Sequence, residues 1–179
     1  MRTLRGAALL LLLVPAVAHA DDHRADINLA FCYEKGSHIV GPRVALGLTL
    51  PVKINGKNLL SALADFSFNE FDFDGDREEK RRAFMGGVRL TIPTSKPHHK
   101  FEVHGLVGGV NAKDDGVSHD GIAGAFGGGW EYVPHPAMTQ GESSHGWGVS
   151  VQLDVVIPKG QTDAFPRLSA GAIYRIEKK

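Results

Sequence analysis

From Ile27 to Ile176 apolar and polar residues alternate with a period of two, in eight runs separated by turn-forming residues. That period puts successive side chains on opposite faces of a strand. The first run sets Ile27, Leu29, Phe31 and Tyr33 against Asn28, Ala30, Cys32 and Glu34. The second is the cleanest: Val44, Leu46, Leu48, Leu50, Val52 and Ile54 oppose Arg43, Ala45, Gly47, Thr49, Pro51 and Lys53. Six apolar residues in strict alternation leave no room for a helix. Pro51 is the anomaly, because proline cannot donate to a ladder. Asn55-Gly56 then signals a tight hairpin, since such turns need positive φ. A third run sets Ala62, Ala64, Phe66 and Phe68 against Leu63, Asp65, Ser67 and Asn69.

After a charged loop from Asp72 to Arg82, Phe84, Val88, Leu90 and Ile92 mark the fourth strand, with Arg89 and Thr91 opposite. Phe101 and Val103 against Glu102 and His104 open the fifth. Its phase blurs from Gly105 to Gly109, which reads as a bulge, and Asn111 to Asp120 reads as polar loop. Ile122, Phe126, Trp130 and Tyr132 carry the sixth. Trp147, Val149, Val151, Leu153, Val155 and Ile157 alternate with Gly148, Ser150, Gln152 and Asp154 in the seventh. The eighth places Leu168, Ala170, Ala172, Tyr174 and Ile176 on one face and Ser169, Gly171, Ile173 and Arg175 on the other. Eight strands of roughly ten to thirteen residues joined in sequence predict an all-β up-and-down meander. A flat meander would expose two long edges, and closure removes both. The expected architecture is therefore a closed antiparallel eight-stranded barrel with both chain ends on one side.

Alternation alone does not say which face meets the outside. A lipocalin-type carrier would turn the apolar face inward around a ligand, and a membrane barrel would invert it. The polar face holds Glu34, Arg43, Lys53, Asp65, Arg89, Glu102, Glu131, Asp154, Arg167 and Arg175, five acids and five bases. Such a set suits a closed lumen, where buried charges must be paired. Small residues beside these long ones, Ala45, Gly47, Gly127 and Gly171 among them, suit a narrow interior. Aromatics gather at strand ends. With the N-terminus on the periplasmic side, Tyr33, Phe68, Phe71 and Phe84 fall near the outer rim, and Phe101, Trp130, Tyr132, Trp147 and Tyr174 near the inner one. Two aromatic girdles match the two interfaces of a bilayer. The reading is lipid outside, with Val151 at mid-membrane.

Residues 1–20 read as a cleaved export signal: Arg2 and Arg5, an apolar run from Ala7 to Val14, and the small-x-small site Ala18-His19-Ala20. Residues 21–179 then form one barrel domain. The apolar run is far short of the ~20 residues of a spanning helix. The net charge of +0 and the lack of a broad basic face argue against nucleic acid. The single cysteine, Cys32, forms no intrachain disulfide and reads as a buried strand residue.

Ser169, Gly171, Tyr174 and Ile176 resemble the C-terminal assembly signal of bacterial outer-membrane barrels. From about Ile27 to Ile176 the chain resembles the small eight-stranded barrels of the OmpA/OmpX and opacity-protein type. The resemblance implies an outer-membrane location, lipid bilayer and lipopolysaccharide as surroundings, and recognition of the last strand by the assembly machinery. One departure is that Glu177-Lys178-Lys179 follow Ile176, where the family often ends on an aromatic residue.

Candidate chemistry is sparse. Asp72-x-Asp74-Gly75-Asp76 lacks the glycine and glutamate positions of a calcium loop and reads as solvated. Asp114-Asp115 with His119-Asp120, and His98-His99 with His135 and His145, lie on turns that need not converge on a metal. Ser118-His119-Asp120 and Ser143-Ser144-His145 hold the residue types of a lipid A-modifying enzyme, but sequence neighbours rarely face one another as nucleophile and base. Arg77, Lys80, Arg81 and Arg82 are candidates for lipopolysaccharide phosphates. No catalytic residue, metal or cofactor is assigned. The expected function is a non-enzymatic barrel with a side-chain-filled lumen, serving envelope integrity or surface interaction. The alternatives are a soluble lipocalin-like carrier of a small apolar ligand and a lipid A-modifying enzyme.

Overall fold

The computed structural model describes residues 23–35, 39–55, 57–72, 80–96, 98–114, 117–134, 143–159 and 164–178. The export segment expected at 1–20 lies outside them, as do Arg77, His135 and most of the acidic loop after Asp72. Eight long strands form the wall: β1 His23–Glu34, β2 Ile39–Thr49, β3 Leu60–Asn69, β4 Lys80–Pro93, β5 His99–Asp114, β6 Val117–Tyr132, β7 Ser143–Pro158 and β8 Phe165–Lys178. Each pairs antiparallel with its sequence neighbour, and β1 pairs with β8 from His23↔Lys178 to Glu34↔Arg167. That seam closes the barrel. It leaves neither β1 nor β8 with an open edge.

The phase of every strand agrees with the alternation in the sequence. Phe126 and Leu153 are 66% and 56% exposed, whereas Asp65 and Arg89 are 0% and 1% exposed. The barrel is thus inverted relative to a water-soluble one: apolar side chains cover the outside and ionised groups fill the middle. Outward Leu29, Val88, Val107, Val149 and Val155 continue the apolar wall around the barrel.

The structure corrects several expectations about the strands. β2 ends at Thr49 rather than continuing to Ile54. Its last rung is the bond from Leu50 N to Leu60 O at 2.8 Å. Val52 N then turns back to Leu50 O at 2.7 Å around Pro51. Proline supplies no N–H with which to continue the ladder. Lys53–Ile54 instead pairs with Lys57–Asn58 in a separate small ladder, reached through Asn55 at φ 52°. Lys53 is exposed and stands outside the lumen.

There is no bulge at Gly105–Gly109: the register against β4 and β6 runs unbroken through it. The phase blurs because glycines carry no side chain to mark a face. Residues 111–120 are also mostly strand, with the β5–β6 ladder reaching Asp114↔Val117. Amphipathic alternation fades there because both faces of this hairpin end are polar. A one-residue register shift does occur elsewhere. Arg43 faces Ser67, but Val40 faces Phe71, so the β3 side carries one extra residue.

Candidate functional site: the ionic lumen and the two rims

Parity directs one residue in two of each strand inward, and eight strands leave an interior just wide enough for those side chains to meet. The middle tier is the tightest. Arg43 on β2 donates from Nε to Asp65 at 2.5 Å, and from Nη1 to Gln152 Oε1 at 2.5 Å and Ser169 Oγ at 2.9 Å. Arg167 on β8 donates to Asp154 Oδ2 from Nε at 3.0 Å and from Nη2 at 2.7 Å, and reaches Asp65 Oδ1 at 3.2 Å. His104 Nε2 lies 2.7 Å from Asp154 Oδ1. Asp65 and Asp154 thus bridge two arginines, and β2, β3, β5, β7 and β8 are tied across the interior.

Towards the rim that carries the chain ends, Arg89 on β4 grips Asp26 on β1 at 3.0 and 2.5 Å. Arg89 also faces Glu102 at 3.4 Å and Glu131 at 3.7 Å, and Arg175 pairs with Glu131. Arg24 donates to Thr91 Oγ1 at 2.6 Å, and Lys100 pairs with Glu177. This tier is the looser one: Arg175 Nε and Nη1, Arg89 Nε, Glu131 Oε1 and Glu102 Oε2 are buried without a hydrogen-bond partner in the protein. At the opposite rim Asn69 donates to Glu34 at 2.6 Å and accepts from Cys32 Sγ at 2.9 Å. Arg81 reaches from β4 to Glu34 at 2.9 Å and lies over the Phe165 ring of β8 at 4.4 Å.

Sequence reasoning placed nine of its ten lumen charges correctly on the polar face; Lys53 is the exception. Asp26 and Arg24 precede Ile27, where the apolar alternation starts, so the pattern does not mark them although β1 begins at His23. The sequence pattern places Arg81 in the charged loop from Asp72 to Arg82, but β4 begins at Lys80 and turns Arg81 inward while Lys80 and Arg82 face out. The inward phase of Arg89 and Thr91, carried back along the strand in steps of two, was the signal that would have found it. Cys32 is buried, and its thiol donates to Asn69 Oδ1.

The two serine–histidine clusters do not assemble. Ser118 faces outward near the β5–β6 tip and accepts from Asn111 Nδ2 at 3.0 Å, while His119, as the next strand residue, faces the other way. Ser144 and His145 stand at the far end of the barrel, where Ser144 is buried and exposed His145 lies 6.2 Å from the Tyr174 ring. Among the described residues no three His, Cys, Asp or Glu side chains converge as metal ligands. The interior that a lipocalin-like carrier would offer to an apolar ligand is occupied by the paired ions.

Aromatics mark both rims. On the chain-end rim Trp130 stacks near Tyr132 at 6.5 Å and donates to His99 Nδ1 at 3.2 Å, and Trp147 packs on Tyr174 at 4.9 Å. On the opposite rim Phe66 and Phe84 lie 4.7 Å apart, with Phe68 beside them.

An ion-filled, apolar-walled, closed eight-stranded barrel with two aromatic rims can be compared with solved structures. The fold is that of the small outer-membrane barrels. Neisserial surface protein A aligns with a TM-score of 0.53 at 14% identity, covering 85% of this chain and 94% of that one. The N-terminal β-barrel domain of Pseudomonas aeruginosa OprF aligns at 0.53 with 8% identity, covering 85% and 96%. Ail, the attachment invasion locus protein of Yersinia pestis, solved with the heparin analogue sucrose octasulfate, aligns at 0.54 with 14% identity, covering 88% and 99%. No protein-family model and no curated protein matches the sequence.

Proposed function

We propose that the chain is a non-enzymatic outer-membrane barrel whose lumen is closed by its own side chains and whose exposed loops serve envelope integrity or surface interaction. In this reading residues 1–20 direct export and are removed, and the chain-end rim faces the periplasm. Ser169, Gly171, Tyr174 and Ile176 lie on the strand that closes the barrel against β1, where an assembly machinery would engage it. Lipid and lipopolysaccharide surround the wall.

The observation that carries the reading is the inverted distribution of side chains. Phe126 and Leu153 lie bare on the outer wall, while Asp65, Asp154, Arg43 and Arg167 are sealed inside and bonded to one another. Apolar walls of this extent are costly in water and stable in hydrocarbon. Ionised groups are tolerated in the interior because each meets an opposite charge. A closed barrel satisfies the backbone within the wall, as hydrocarbon demands.

Cell fractionation tests the reading. The protein is expected in the outer-membrane fraction, extracted only by detergent and shifted on gels by heating. Release by osmotic shock would instead mark a soluble periplasmic protein. For the absence of enzymatic activity, Ser118→Ala, His119→Ala, Ser144→Ala and His145→Ala are each expected to leave the envelope lipid profile unchanged.

A further inference from the structure

The rim opposite the chain ends carries an ordered set of outward residues that the lumen does not use. Strand register sets them in rows across β3 to β6. The lowest row runs Phe66, Phe84, Gly109, Ile122. A Cβ at Gly109 would meet nothing within 4 Å, so this glycine leaves a gap between two large apolar neighbours. The gap belongs to a trough of about 330 Å³, open to the outside and lined by Phe66, Phe68 and Phe84, with Arg82, Asn111 and Asp120 at its polar end.

Directly above, Arg82 pairs across the ladder with Asn111, and above that Lys80 pairs with Lys113. Arg82 is well exposed and bonded to Glu70 at 2.8 Å, which holds the Glu70 carboxyl below its usual range. Asn111 donates to Asp120 at 2.5 Å. Among the described residues, the cations Lys80, Arg82 and Lys113 and the carboxylates Glu70 and Asp120 thus stand at this end of an apolar trough. The order along the strand is tail site first, charge second.

We propose that this face of β3–β6 binds one phosphorylated glycolipid of the outer leaflet, the lipid A part of lipopolysaccharide. An acyl chain lies in the trough at Gly109, and Lys80, Arg82 and Lys113 hold a phosphate. Guanidinium and ammonium groups are the natural partners of phosphate oxygens, and the trough supplies the apolar surface that a free sugar phosphate would not use. The inference rests on the outer-membrane reading, which makes this rim the exterior one. It also revises the cation set expected from the sequence. Arg81 is turned into the lumen, and Lys113, from another strand, takes its place.

The test is native mass spectrometry of the purified barrel in octyl glucoside micelles, titrated with bisphosphorylated or dephosphorylated lipid A. The wild type is expected to retain the bisphosphorylated form at least tenfold better. The triple variant Lys80→Gln, Arg82→Gln, Lys113→Gln should lose that preference, and Gly109→Trp should weaken both forms together. Gly109→Leu fills the same gap more gently and serves if the tryptophan variant does not fold. Retention within twofold across wild type, charge variant and both glycine variants would overturn the proposal. The parent reading fails separately. Lys113→Cys on a Cys32→Ser background should react with a membrane-impermeant maleimide on intact cells. Absence of labelling would refute the orientation, whereas labelling without lipid A binding would refute the trough alone.

Discussion

Arg89 on β4 grasps Asp26 on β1 with both terminal nitrogens, at 3.0 and 2.5 Å, joining strands that are not neighbours in the wall. The pair is sealed from solvent. Removing Asp26 takes from Arg89 its nearest counter-ion and leaves it the longer contacts to Glu102 and Glu131, at a cost of about 3 kcal/mol. Asp26→Ala is expected to lower the urea midpoint of the detergent-folded barrel. The double variant Asp26→Leu, Arg89→Met should recover much of the loss. A double variant as unstable as the sum of the singles would mean that the two residues do not act as a pair.

Gly47 sits beside that pair. A Cβ there would be driven into the Arg89 guanidinium and the Asp26 carboxylate. Overpacking of this kind costs about 1–3 kcal/mol. Gly47→Val should therefore destabilise the barrel measurably, whereas Gly109→Val, facing open space, should not. Equal effects in equilibrium unfolding would contradict the assignment of inner and outer faces.

Val151 is on the outer face of β7, opposite Ala170 of β8. An arginine at the middle of a lipid-facing strand costs roughly 2–4 kcal/mol. Val151→Arg is expected to reduce folding into phosphatidylcholine vesicles by that amount. Unchanged folding would place this face in water.

In the middle tier Arg43 and Arg167 reach across the lumen to Asp65 and Asp154. Planar-bilayer recordings of the wild type should show no stable solute conductance. Arg43→Ala combined with Arg167→Ala removes both guanidinium bridges and should open a small, steady current. A large conductance in the wild type would refute a closed lumen.

Strand number, the phase of each strand and the separation of ions from apolar residues were determined by the sequence alone. Alternation is a local property: once Val149, Val151 and Leu153 share a face, Ser150, Gln152 and Asp154 must share the other. What local pattern could not supply was anything set by a neighbour across the barrel. The strand character of residues 111–114 and the start of β4 at Lys80 follow from ladder bonds to other strands. The partners of each charge were equally hidden. Arg89 lies 63 positions from Asp26, and Arg43 lies 109 from Gln152. Only closure of the wall brings them within hydrogen-bond reach. The same holds for Lys80 and Lys113, which become neighbours through register. Period two assigns a side chain to a face, while the register between strands decides what it meets there.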